Sequence, residues 1–521
     1  MLQFIKANSK RLFLIAVLVL TLPALIGLIH PGFPVTDDGG WMVIRFSAFF
    51  QTLRGGEFPV RFLMRLNNGY GYPVSDFLYP LFMYLSTAIH LVGINFANTI
   101  KTLLIFCVLA SSLFTFLWLR KIFDNFSSLI GSMLYTFFPY HLFDIYQRGS
   151  VGEVLSLSIL PFVLWQMERR SLLWTSIGLS FLIMAHNTLA VLFMFLILPY
   201  ALLEVYIAKD KVRALSFYCL SLLLGFGLSA FFWLPALSDL QYTVFAKTQI
   251  SNIDNYFAGF GLIGVAALFV IFATILLILL RRIEVKKHRL TIIMLFIAII
   301  SIFLGSQPSA FLWKFLPSTF VQFPFRFLSL TIPSVAFLAA CIVSILAKKI
   351  KIALGLIVIL LVIISASIYL LPKNYQNFPD SFYSTNQDTT TVKNEYMPSW
   401  VKEIPQVMAT VKVRNLSGQE TINLLQSTPS KTVFSVVLPM ERAIQVNTIY
   451  FPGWYAYVNG RRVEIVYNNP RGLINLRLDK GVNNVEVVFK ETPVRLFSDL
   501  VSIIGFAGLL TLVLMRKKLK L

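Results

Sequence analysis

The sequence predicts a multi-pass α-helical membrane protein with a β-rich domain inserted before its last helix. Three observations support this fold class. First, 57% of the 521 residues are hydrophobic and only 13% are charged, whereas soluble domains carry roughly 25% charged residues. Second, apolar stretches alternate with short basic connectors along most of the chain. Third, the composition changes to that of a water-soluble domain from about residue 372.

About twelve apolar stretches are predicted to cross the membrane, since each is close to the ~20 residues that a spanning helix needs. The first, Leu12 to His30, is long for a cleaved signal peptide and has few small residues near its end, so we interpret it as a retained helix. The predicted spans are 12–30, 102–119, 126–140, 151–167, 172–186, 188–206, 214–235, 258–280, 290–306, 326–347, 352–371 and 496–515.

Basic residues between the spans predict the orientation. Clusters such as Arg120–Lys121, Arg169–Arg170 and Arg516–Lys520 lie in short connectors, as is typical of cytoplasmic loops. Placing every cluster inside gives about 12 transmembrane helices in the plasma membrane, with both termini cytoplasmic. The net charge of +21 is spread over these connectors, which argues against a nucleic-acid partner.

One further apolar stretch, from Phe77 to Phe96, does not fit as a span because it would move most later basic clusters outside. We therefore expect an exterior juxtamembrane helix there, within a first exterior loop at about 31–100. The predicted units are a transmembrane domain at 1–371, an exterior β-rich domain at 372–493, and a final helix with a basic cytoplasmic tail at 494–521.

Alternating patterns in the β-rich domain predict two hairpins in a small β-sandwich. Asn459–Gly460 separates two strand-like runs, and Asn-Gly supplies the positive φ angles of a type I′ turn. A second hairpin is expected to turn at 479–481, between Ile474–Leu478 and Val485–Phe489. The simpler interpretation of this domain is an accessory lid or a partner-binding module, and the other is a catalytic role.

An acidic doublet in the first exterior loop is the leading functional candidate. Asp37 and Asp38 follow the first span directly, and ionised side chains beside a bilayer are costly unless they are solvated or paired. The loop that follows is basic and aromatic, with Arg45 and Arg61. This pattern indicates acid/base chemistry beside a bound anion such as a lipid phosphate. The alternative is that the doublet only caps the helix beginning near Gly39.

Other exterior candidates also have a structural alternative. Glu153 opens a span, where the helix dipole favours a carboxylate. Arg326 follows Phe-Pro-Phe at a span end and is either a phosphate ligand or an interfacial arginine; Arg148 is a further candidate phosphate ligand. His186 is either a helix-end residue or a catalyst. Two tyrosines of the first loop either line a sugar pocket or belong to the interfacial aromatic belt, namely Tyr70 and Tyr72.

Several classes of site have no signal in the sequence. The three cysteines fall inside apolar stretches, and no nucleotide-binding loop, nucleophile elbow or zinc quartet is visible. Without a nucleotide-binding loop, a transferase acting at the outer face of the membrane would need a donor that has already been carried across the membrane on a lipid. The predicted span centres are almost free of ionisable residues, which argues against an ion-coupled transporter.

Taken in order, these motifs resemble the GT-C glycosyltransferases, and most of all the bacterial YfhO-like and 6-pyruvoyl-tetrahydropterin-synthase-related membrane proteins. No soluble pterin-enzyme core accompanies the resemblance. The matching stretches are Thr36–Gly39, Gly56–Arg61, Gly69–Pro73, Pro139–His141 with Arg148 and Glu153, His186–Asn187, Gln322–Arg326, and Tyr450–Tyr455 followed by Val458–Gly460.

The resemblance implies transfer of a sugar from a polyprenyl-phosphate carrier to an envelope glycan, lipid or protein acceptor at the outer face. It implies that Asp37 is the general base of an inverting reaction. Asp38 is then a helper, or a ligand with Asp37 to a weakly held divalent cation (Mg or Mn). The remaining implied site residues are Glu153 as a catalytic carboxylate, with Arg45, Arg61, Tyr70, Tyr72, Arg148, His186 and Arg326 around the lipid phosphate and sugar. The alternatives are a flippase for lipid-linked glycans and a non-catalytic envelope assembly protein.

Overall fold

The computed structural model describes residues 2–245, 248, 252–284, 288–315 and 321–519. Within these residues, eight helices are long and apolar enough to cross a membrane, and two bent helix pairs raise the number to ten if each pair is one span. The helices are α1 (Leu2–Thr21), α2 (Ile26–Ile29), α3 (Gly39–Arg54), α4 (Val74–Phe77), α5 (Leu81–His90), α6 (Phe96–Leu119), α7 (Asn125–Thr136), α8 (Pro139–Phe143), α9 (Val151–Glu168), α10 (Leu172–Ala185), α11 (Asn187–Ile207), α12 (Lys211–Leu228), α13 (Ala230–Asp239), α14 (Phe260–Ile263), α15 (Val265–Leu279), α16 (Arg289–Gly305), α17 (Leu328–Ser344), α18 (Lys348–Ala366), α19 (Asp380–Thr385) and α20 (Pro493–Leu519).

The helical part is therefore confirmed as a bundle with several candidate spans, and eight to ten candidate spans are found among the described residues where twelve were predicted. Two predicted spans, 126–140 and 172–186, contain helices α7 and α10 of only 12 and 14 residues. At about 1.5 Å per residue they are shorter than a ~30 Å hydrocarbon core. The apolar sequence continues past each helix, but the chain breaks before Pro139 and at the extended residue His186.

Burial separates the central helices from the peripheral ones. In the candidate span Pro324–Ser344, which contains α17, 94% of the apolar window is buried inside the protein, whereas the corresponding share for the last helix is 11%. Helix α17 packs against α7 and α16, and α6 packs against α9. The bundle centre therefore lies around α17, and α20 presents most of its apolar surface outward.

The segment predicted as a juxtamembrane helix, Phe77 to Phe96, contains the short helix α5, and a one-turn helix, α4, ends at its first residue. The longer, α5, has ten residues, so it is about 15 Å long and too short to cross the hydrocarbon core. Before it, α3 is mostly buried. The first loop is thus a packed structure that lies against the ends of the bundle helices.

Two antiparallel sheets form the β-domain. Five strands are ordered β4-β5-β10-β7-β8, and three are ordered β3-β6-β9. Buried residues of both sheets, including Phe434 and Ile444, belong to the large apolar cluster that also contains the buried residues of the helices; the sandwich remains a prediction. The strands are β1 (Phe33–Pro34), β2 (Tyr375–Gln376), β3 (Val413–Asn415), β4 (Ile422–Thr428), β5 (Lys431–Leu438), β6 (Arg442–Ile449), β7 (Trp454–Val458), β8 (Arg461–Val463), β9 (Leu473–Leu478) and β10 (Gly481–Phe489).

Of the two predicted hairpins, one is present and the other is wrong. Strands β7 and β8 pair antiparallel around Asn459–Gly460, whose φ angles are 48° and 80°. Strands β9 and β10, by contrast, do not pair with each other. Strand β9 pairs with β6 in the smaller sheet, and β10 pairs with β5 and β7 in the larger one. The turn at 479–481 therefore crosses from one sheet to the other, a connection that strand patterning cannot distinguish from a hairpin.

The beginning of the C-terminal segment is joined to the first loop. Strand β1 pairs with β2 across Phe33–Gln376 and Pro34–Tyr375, and α19 packs against α3. The backbone N–H of Ile449 in β6 donates to the carbonyl of Tyr70 at 2.8 Å. The first loop and the segment after residue 372 therefore build one layer over the helices, and the candidate site lies beneath that layer.

Candidate functional site

A cavity of about 640 Å³ lies where the first loop, helices α10 to α13, the segment before α17 and the segment after α19 meet. It brings together five of the ten residues predicted for the site. Its lining residues are Asp38, Trp41, Met42, Arg45, Phe77, Leu78, Tyr79, Arg148, Ile183, His186, Asn187, Thr188, Ala190, Val191, Met194, Phe226, Phe232, Trp233, Ala236, Leu237, Leu240, Phe245, Thr248, Tyr256, Gln322, Phe323, Arg326, Thr390, Thr391, Val392, Lys393, Glu395 and Tyr396.

Glu153 holds two arginines of the cavity wall in place from behind. Its Oε1 accepts from Arg148 Nη1 at 2.6 Å and from Arg326 Nε at 2.9 Å, and its Oε2 accepts from the hydroxyl of Tyr140 at 2.6 Å. Glu153 is fully buried and does not line the cavity. In the structure Glu153 therefore positions the two arginines, whereas the sequence analysis predicted a catalytic role for this carboxylate.

The two arginines reach the cavity with fixed orientations. Arg326 Nη1 also donates to the carbonyl of Val321 at 2.9 Å and to Oε1 of Gln322 at 2.8 Å. Its guanidinium and that of Arg148 each lie over the ring of Phe323, at 4.8 and 5.3 Å. Planar guanidinium groups held in this way are suited to bidentate recognition of a phosphate.

His186 is a helix-end residue that also borders the cavity. It is the N-cap of α11, and its Nδ1 accepts from the backbone N–H of Leu189 at 3.3 Å. That bond requires an unprotonated Nδ1, so Nε2 carries the proton; Nε2 lies 3.7 Å from Oε1 of Glu153. The ring packs on Tyr79 with centroids 4.6 Å apart. The cap explains the break between α10 and α11, as the structural interpretation of this residue anticipated.

The two aspartates of the doublet have different surroundings. Asp38 lines the cavity, and its Oδ2 is 3.6 Å from Arg148 Nη2. Asp37 is exposed and does not line the cavity. Asp38 is the N-cap residue of α3, yet among the described residues its side chain makes no capping hydrogen bond; the hydroxyl of Thr36 accepts from Gly39 N–H instead. Capping therefore does not account for the Asp38 carboxylate.

A polar segment that the sequence analysis assigned only to the β-rich domain forms one wall of the cavity. Residues 390–396 are held by Arg45, whose Nη2 donates to the carbonyl of Thr390 at 2.7 Å. The hydroxyl of buried Tyr72 shares a 2.7 Å hydrogen bond with Thr391 and accepts from the N–H of Tyr396 at 3.0 Å. Tyr72 thus supports the wall from outside the cavity, while Arg45 also lines the cavity.

This segment adds two charged residues that the sequence analysis missed, Lys393 and Glu395. Its backbone is unusual, since Thr390, Lys393 and Asn394 have φ angles of 63°, 59° and 50°. Such conformations in residues other than glycine are uncommon and cluster at functional sites. The sequence offers no signal for them beyond a run of threonines in a polar stretch.

Tyr70 and Arg61 lie away from the cavity. Tyr70 is buried under the β-domain. Arg61 belongs to an ionic cluster, in which it contacts Glu491 and Asp499 at 3.2 Å each and Asp76 at 3.6 Å. The remaining members of this cluster are Arg495 and Asp239, with Arg495 placed 2.8 Å from Asp239 and 3.4 Å from Asp76. The cluster ties the first loop to α13 and to the start of α20.

The ionic cluster predicts that thermal stability falls as pH rises. Burial, followed by the nearby Asp76 carboxylate, raises the pKa of Asp239 to about 7, and burial raises the pKa of the adjacent Glu57 to about 7. Between about pH 4 and 7 these two carboxyl groups are protonated in the folded protein and ionised in the unfolded chain. The free energy of unfolding that this protonation contributes is therefore lost as the pH rises from about 4 to 7. We expect the Tm of the detergent-solubilised protein to be a few degrees higher at pH 5 than at pH 8.

The variants Asp239→Asn and Glu57→Gln provide the control for this pH effect. Each removes one titrating group, so each is expected to flatten the dependence of Tm on pH. A Tm that rises between pH 5 and pH 8 in the unmodified protein contradicts the prediction.

Part of the cavity wall is apolar and belongs to the outer surface of the helix bundle. It includes Val191, Phe226 and Leu237, which are 46%, 42% and 65% exposed on the apolar helix surface. The wall also carries four basic side chains and two carboxylates. The cavity therefore combines cationic groups with an exposed apolar surface, and an amphipathic anion has the matching chemistry.

Metal binding was predicted for Asp37 and Asp38. The described residues contain no group of three or more His, Cys, Asp or Glu side chains placed to hold a metal ion. A magnesium ion is often bound by one or two carboxylates together with water and substrate phosphate. Of the doublet, Asp38 is the member placed to meet such an ion in the cavity. Metal binding by Asp37 and Asp38 remains a prediction.

Residues 77–372, more than half of the chain, match the model of the family described as 6-pyruvoyl-tetrahydropterin synthase related domain, membrane protein. The chain belongs to this family. The family match confirms the kinship that the sequence motifs indicated. An uncharacterized protein of Lactococcus lactis subsp. cremoris (strain MG1363) is 23% identical over 269 residues. That alignment covers 49% of this chain and 42% of the relative, so the chain spans less than half of the relative's length.

Two solved structures are similar to this family member. The mycobacterial arabinofuranosyltransferase AftD has a TM-score of 0.45 and 14% identity, over 72% of this chain and 28% of that one. The oligosaccharyltransferase of Archaeoglobus fulgidus has a TM-score of 0.46 and 13% identity, over 75% of this chain and 60% of that one. Because both TM-scores are below 0.5, we base the proposed function on the cavity and not on these similarities.

Proposed function

We propose that the protein transfers a sugar from a polyprenyl-phosphate carrier to an acceptor hydroxyl at the outer face of a bacterial plasma membrane. The observation that carries the proposal is the cavity, whose wall combines three arginines with an apolar surface exposed on the helix bundle. A lipid-linked sugar phosphate has the matching parts: an isoprenoid chain, an anionic phosphate and a polar sugar.

The arginines supply the electrostatic part of the reaction. When the bond between the sugar and the phosphate breaks, negative charge develops on the phosphate, and positioned donors stabilise it. Arg326 and Arg148 are held by Glu153 before substrate arrives, so they need little rearrangement. Arg45 lines the same cavity from α3. Together they form the proposed phosphate site.

Acceptor activation requires a carboxylate near the sugar carbon. We propose that Asp38 is the member of the doublet that contacts substrate, since it lines the cavity and Asp37 does not. As general base, Asp38 takes the proton of the acceptor hydroxyl, and attack from the face opposite the phosphate inverts the sugar carbon. General base catalysis of this kind contributes typically about 10²–10⁴-fold.

We propose that the face carrying the β-domain lies outside the cell. The basic connectors at Arg120–Lys121, Arg169–Arg170 and 348–351 belong to the opposite ends of the helices, and such clusters favour the cytoplasm. With this orientation the cavity opens beside the outer leaflet. The acceptor is an envelope glycan, lipid or protein.

Transfer by the purified protein tests the proposal. A radiolabelled polyprenyl-phosphate sugar is incubated in detergent with the protein and a membrane extract that supplies acceptors. Labelled product that depends on the protein supports the function. Folded protein that binds labelled donor but forms no glycosidic bond with any acceptor argues for a carrier or assembly role instead.

Arg326→Lys tests the phosphate site. Lysine keeps the charge but cannot bind Glu153 and a phosphate at once through a planar fork. We expect kcat/KM for the lipid-linked donor to fall by at least about tenfold, mainly through KM. The matched control is Arg462→Lys, at an exposed arginine of strand β8, which should leave kcat/KM unchanged. Equal kcat/KM values for Arg326→Lys and the unmodified protein count against Arg326 as a phosphate ligand.

A further inference from the structure

Glu395 is a second carboxylate in the cavity, and the role proposed for Asp38 leaves it unused. It lines the same cavity as Asp38, Arg45 and Arg326. Unlike Asp38, which is ion-paired with Arg148, Glu395 makes no hydrogen bond or ion pair with any residue that the structure describes. A half-buried carboxyl group without a partner in a substrate-sized cavity is a candidate for contact with substrate.

The backbone around Glu395 is held firmly despite this free side chain. Tyr396 stacks between Phe77 and Phe245, with centroid distances of 5.0 and 5.5 Å. Its N–H donates to the hydroxyl of Tyr72, and the carbonyl of Asn394 accepts from Met397 at 2.8 Å. The segment is thus fixed on both sides of Glu395, so its carboxyl group keeps a defined place in the cavity wall.

Burial of Glu395 and the negative charge of a bound phosphate both favour a protonated Glu395. Arg45 of α3, Arg326 before α17 and Asp38 face the carboxyl group from the packed elements, and Lys393 lies on its own segment. Burial raises the pKa of Glu395 to about 7 against the opposing effect of Arg45 and Arg326. A bound phosphate brings further negative charge, which raises this pKa again.

Resting on the function proposed above, we propose that Glu395 acts as the general acid, donating its proton to the phosphate of the departing carrier. The bond between the sugar carbon and the phosphate oxygen breaks, and its electron pair stays on that oxygen. The acceptor oxygen bonds to the sugar carbon and its proton passes to Asp38. The proton of Glu395 passes to the phosphate, and the two carboxyl groups regain their states by exchange with water.

The different surroundings of the two carboxyl groups explain why Asp38 is assigned as the base and Glu395 as the acid. Asp38 is ion-paired with the guanidinium of Arg148 at 3.6 Å, which holds its carboxylate in the cavity wall, where it can accept a proton from the acceptor hydroxyl. Glu395 has no such partner, so it is the group that carries a proton. Two carboxyl groups with environments of opposite effect are the usual arrangement of an acid/base pair.

The pH dependence of transfer tests the assignment. In the unmodified protein we expect the rate to fall on the alkaline side as Glu395 loses its proton. Glu395→Gln should lower kcat by about 10²-fold and abolish this alkaline fall, since general acid catalysis contributes typically about 10²–10⁴-fold. Glu395→Asp keeps a carboxyl group and should restore the alkaline fall. Glu403→Gln, at an exposed glutamate further along the chain that does not line the cavity, should behave like the unmodified protein.

A binding measurement separates this inference from the proposed function. Trp41 and Trp233 line the cavity, so quenching of their fluorescence reports binding of a polyprenyl monophosphate. We expect the affinity for the polyprenyl monophosphate to weaken more between pH 6 and 8.5 in the unmodified protein than in Glu395→Gln. The titration of the phosphate itself affects both proteins equally, so the difference between them reports Glu395. Superimposable binding and rate profiles for the two proteins overturn the inference, whereas absence of transfer by the unmodified protein overturns the proposed function.

Discussion

We expect Asp38→Asn to lower kcat for sugar transfer by about 10³-fold, while Asp37→Asn stays within about threefold of the unmodified protein. Asparagine matches aspartate in size but cannot accept the acceptor proton, and general base catalysis contributes about 10²–10⁴-fold. Asp38 lines the cavity beside Arg148, whereas Asp37 is exposed outside it. The measurement is the initial rate with a saturating lipid-linked donor.

The two variants are matched controls for each other, because they differ by one position in the same loop. The backbone N–H groups of Asp37 and Asp38 donate to the carbonyls of Gln147 and Arg148 at 2.9 and 2.7 Å, and neither substitution removes these bonds. Both variants should therefore fold, which the elution profile and the Tm can verify. A large loss in Asp37→Asn with full activity in Asp38→Asn would return the base to Asp37, as the family resemblance implies.

The doublet illustrates what a sequence can and cannot reveal about a site. Two carboxylates beside an apolar span are unusual in composition, so their importance could be inferred from the sequence. Which of them faces the cavity depends on how the bend at residues 37–38 leads into α3, where Asp38 has φ −110° and ψ −23°. This bend is held by pairing with Gln147 and Arg148, over a hundred residues further along the chain.

The differences between the predicted site residues and the residues that line the cavity have the same physical origin. Arg61 was expected at a phosphate, but its partners Glu491 and Asp499 lie more than 400 residues away, just before and within a helix that hydropathy describes only as a span. Glu395 was missed because it lies in a polar stretch that resembles a linker. Arg326 and Arg148 were identifiable because an arginine at a span end is costly without a purpose, although their common partner Glu153 was expected to react and not to position.

The spans show a related limit. Hydropathy identified ten candidate spans correctly, including the two bent pairs. The spans predicted at 126–140 and 172–186 run past the ends of α7 and α10 because the apolar sequence continues beyond both helices. The breaks depend on single residues: Pro139 starts a new helix, and His186 leaves α10 and caps α11. These same breaks place His186 and Arg148 at the cavity, so the two short helices are part of how the site is built.

We expect Glu153→Gln to destabilise the protein by about 3 kcal/mol and to abolish sugar transfer. Glutamine can accept a hydrogen bond but cannot offset the charges of Arg148 and Arg326, which are 5% exposed each. Removing one partner of a buried ion pair costs about 3–5 kcal/mol because the other charge is left uncompensated; Arg148 keeps Asp144 at 3.2 Å, so we expect the lower value. Reversible denaturation in mixed micelles measures the free energy of unfolding.

The control for this prediction is Glu204→Gln, which breaks the partly exposed pair between Arg170 and Glu204 at 2.8 Å. Exposed pairs contribute about 0–1 kcal/mol, so this variant should retain both stability and transfer. If Glu153→Gln is as stable as Glu204→Gln, the arginines are held by other bonds, and Glu153 is not the residue that positions the phosphate site. If it is stable but inactive at saturating donor, Glu153 has a role in the reaction itself, as its predicted catalytic assignment would require.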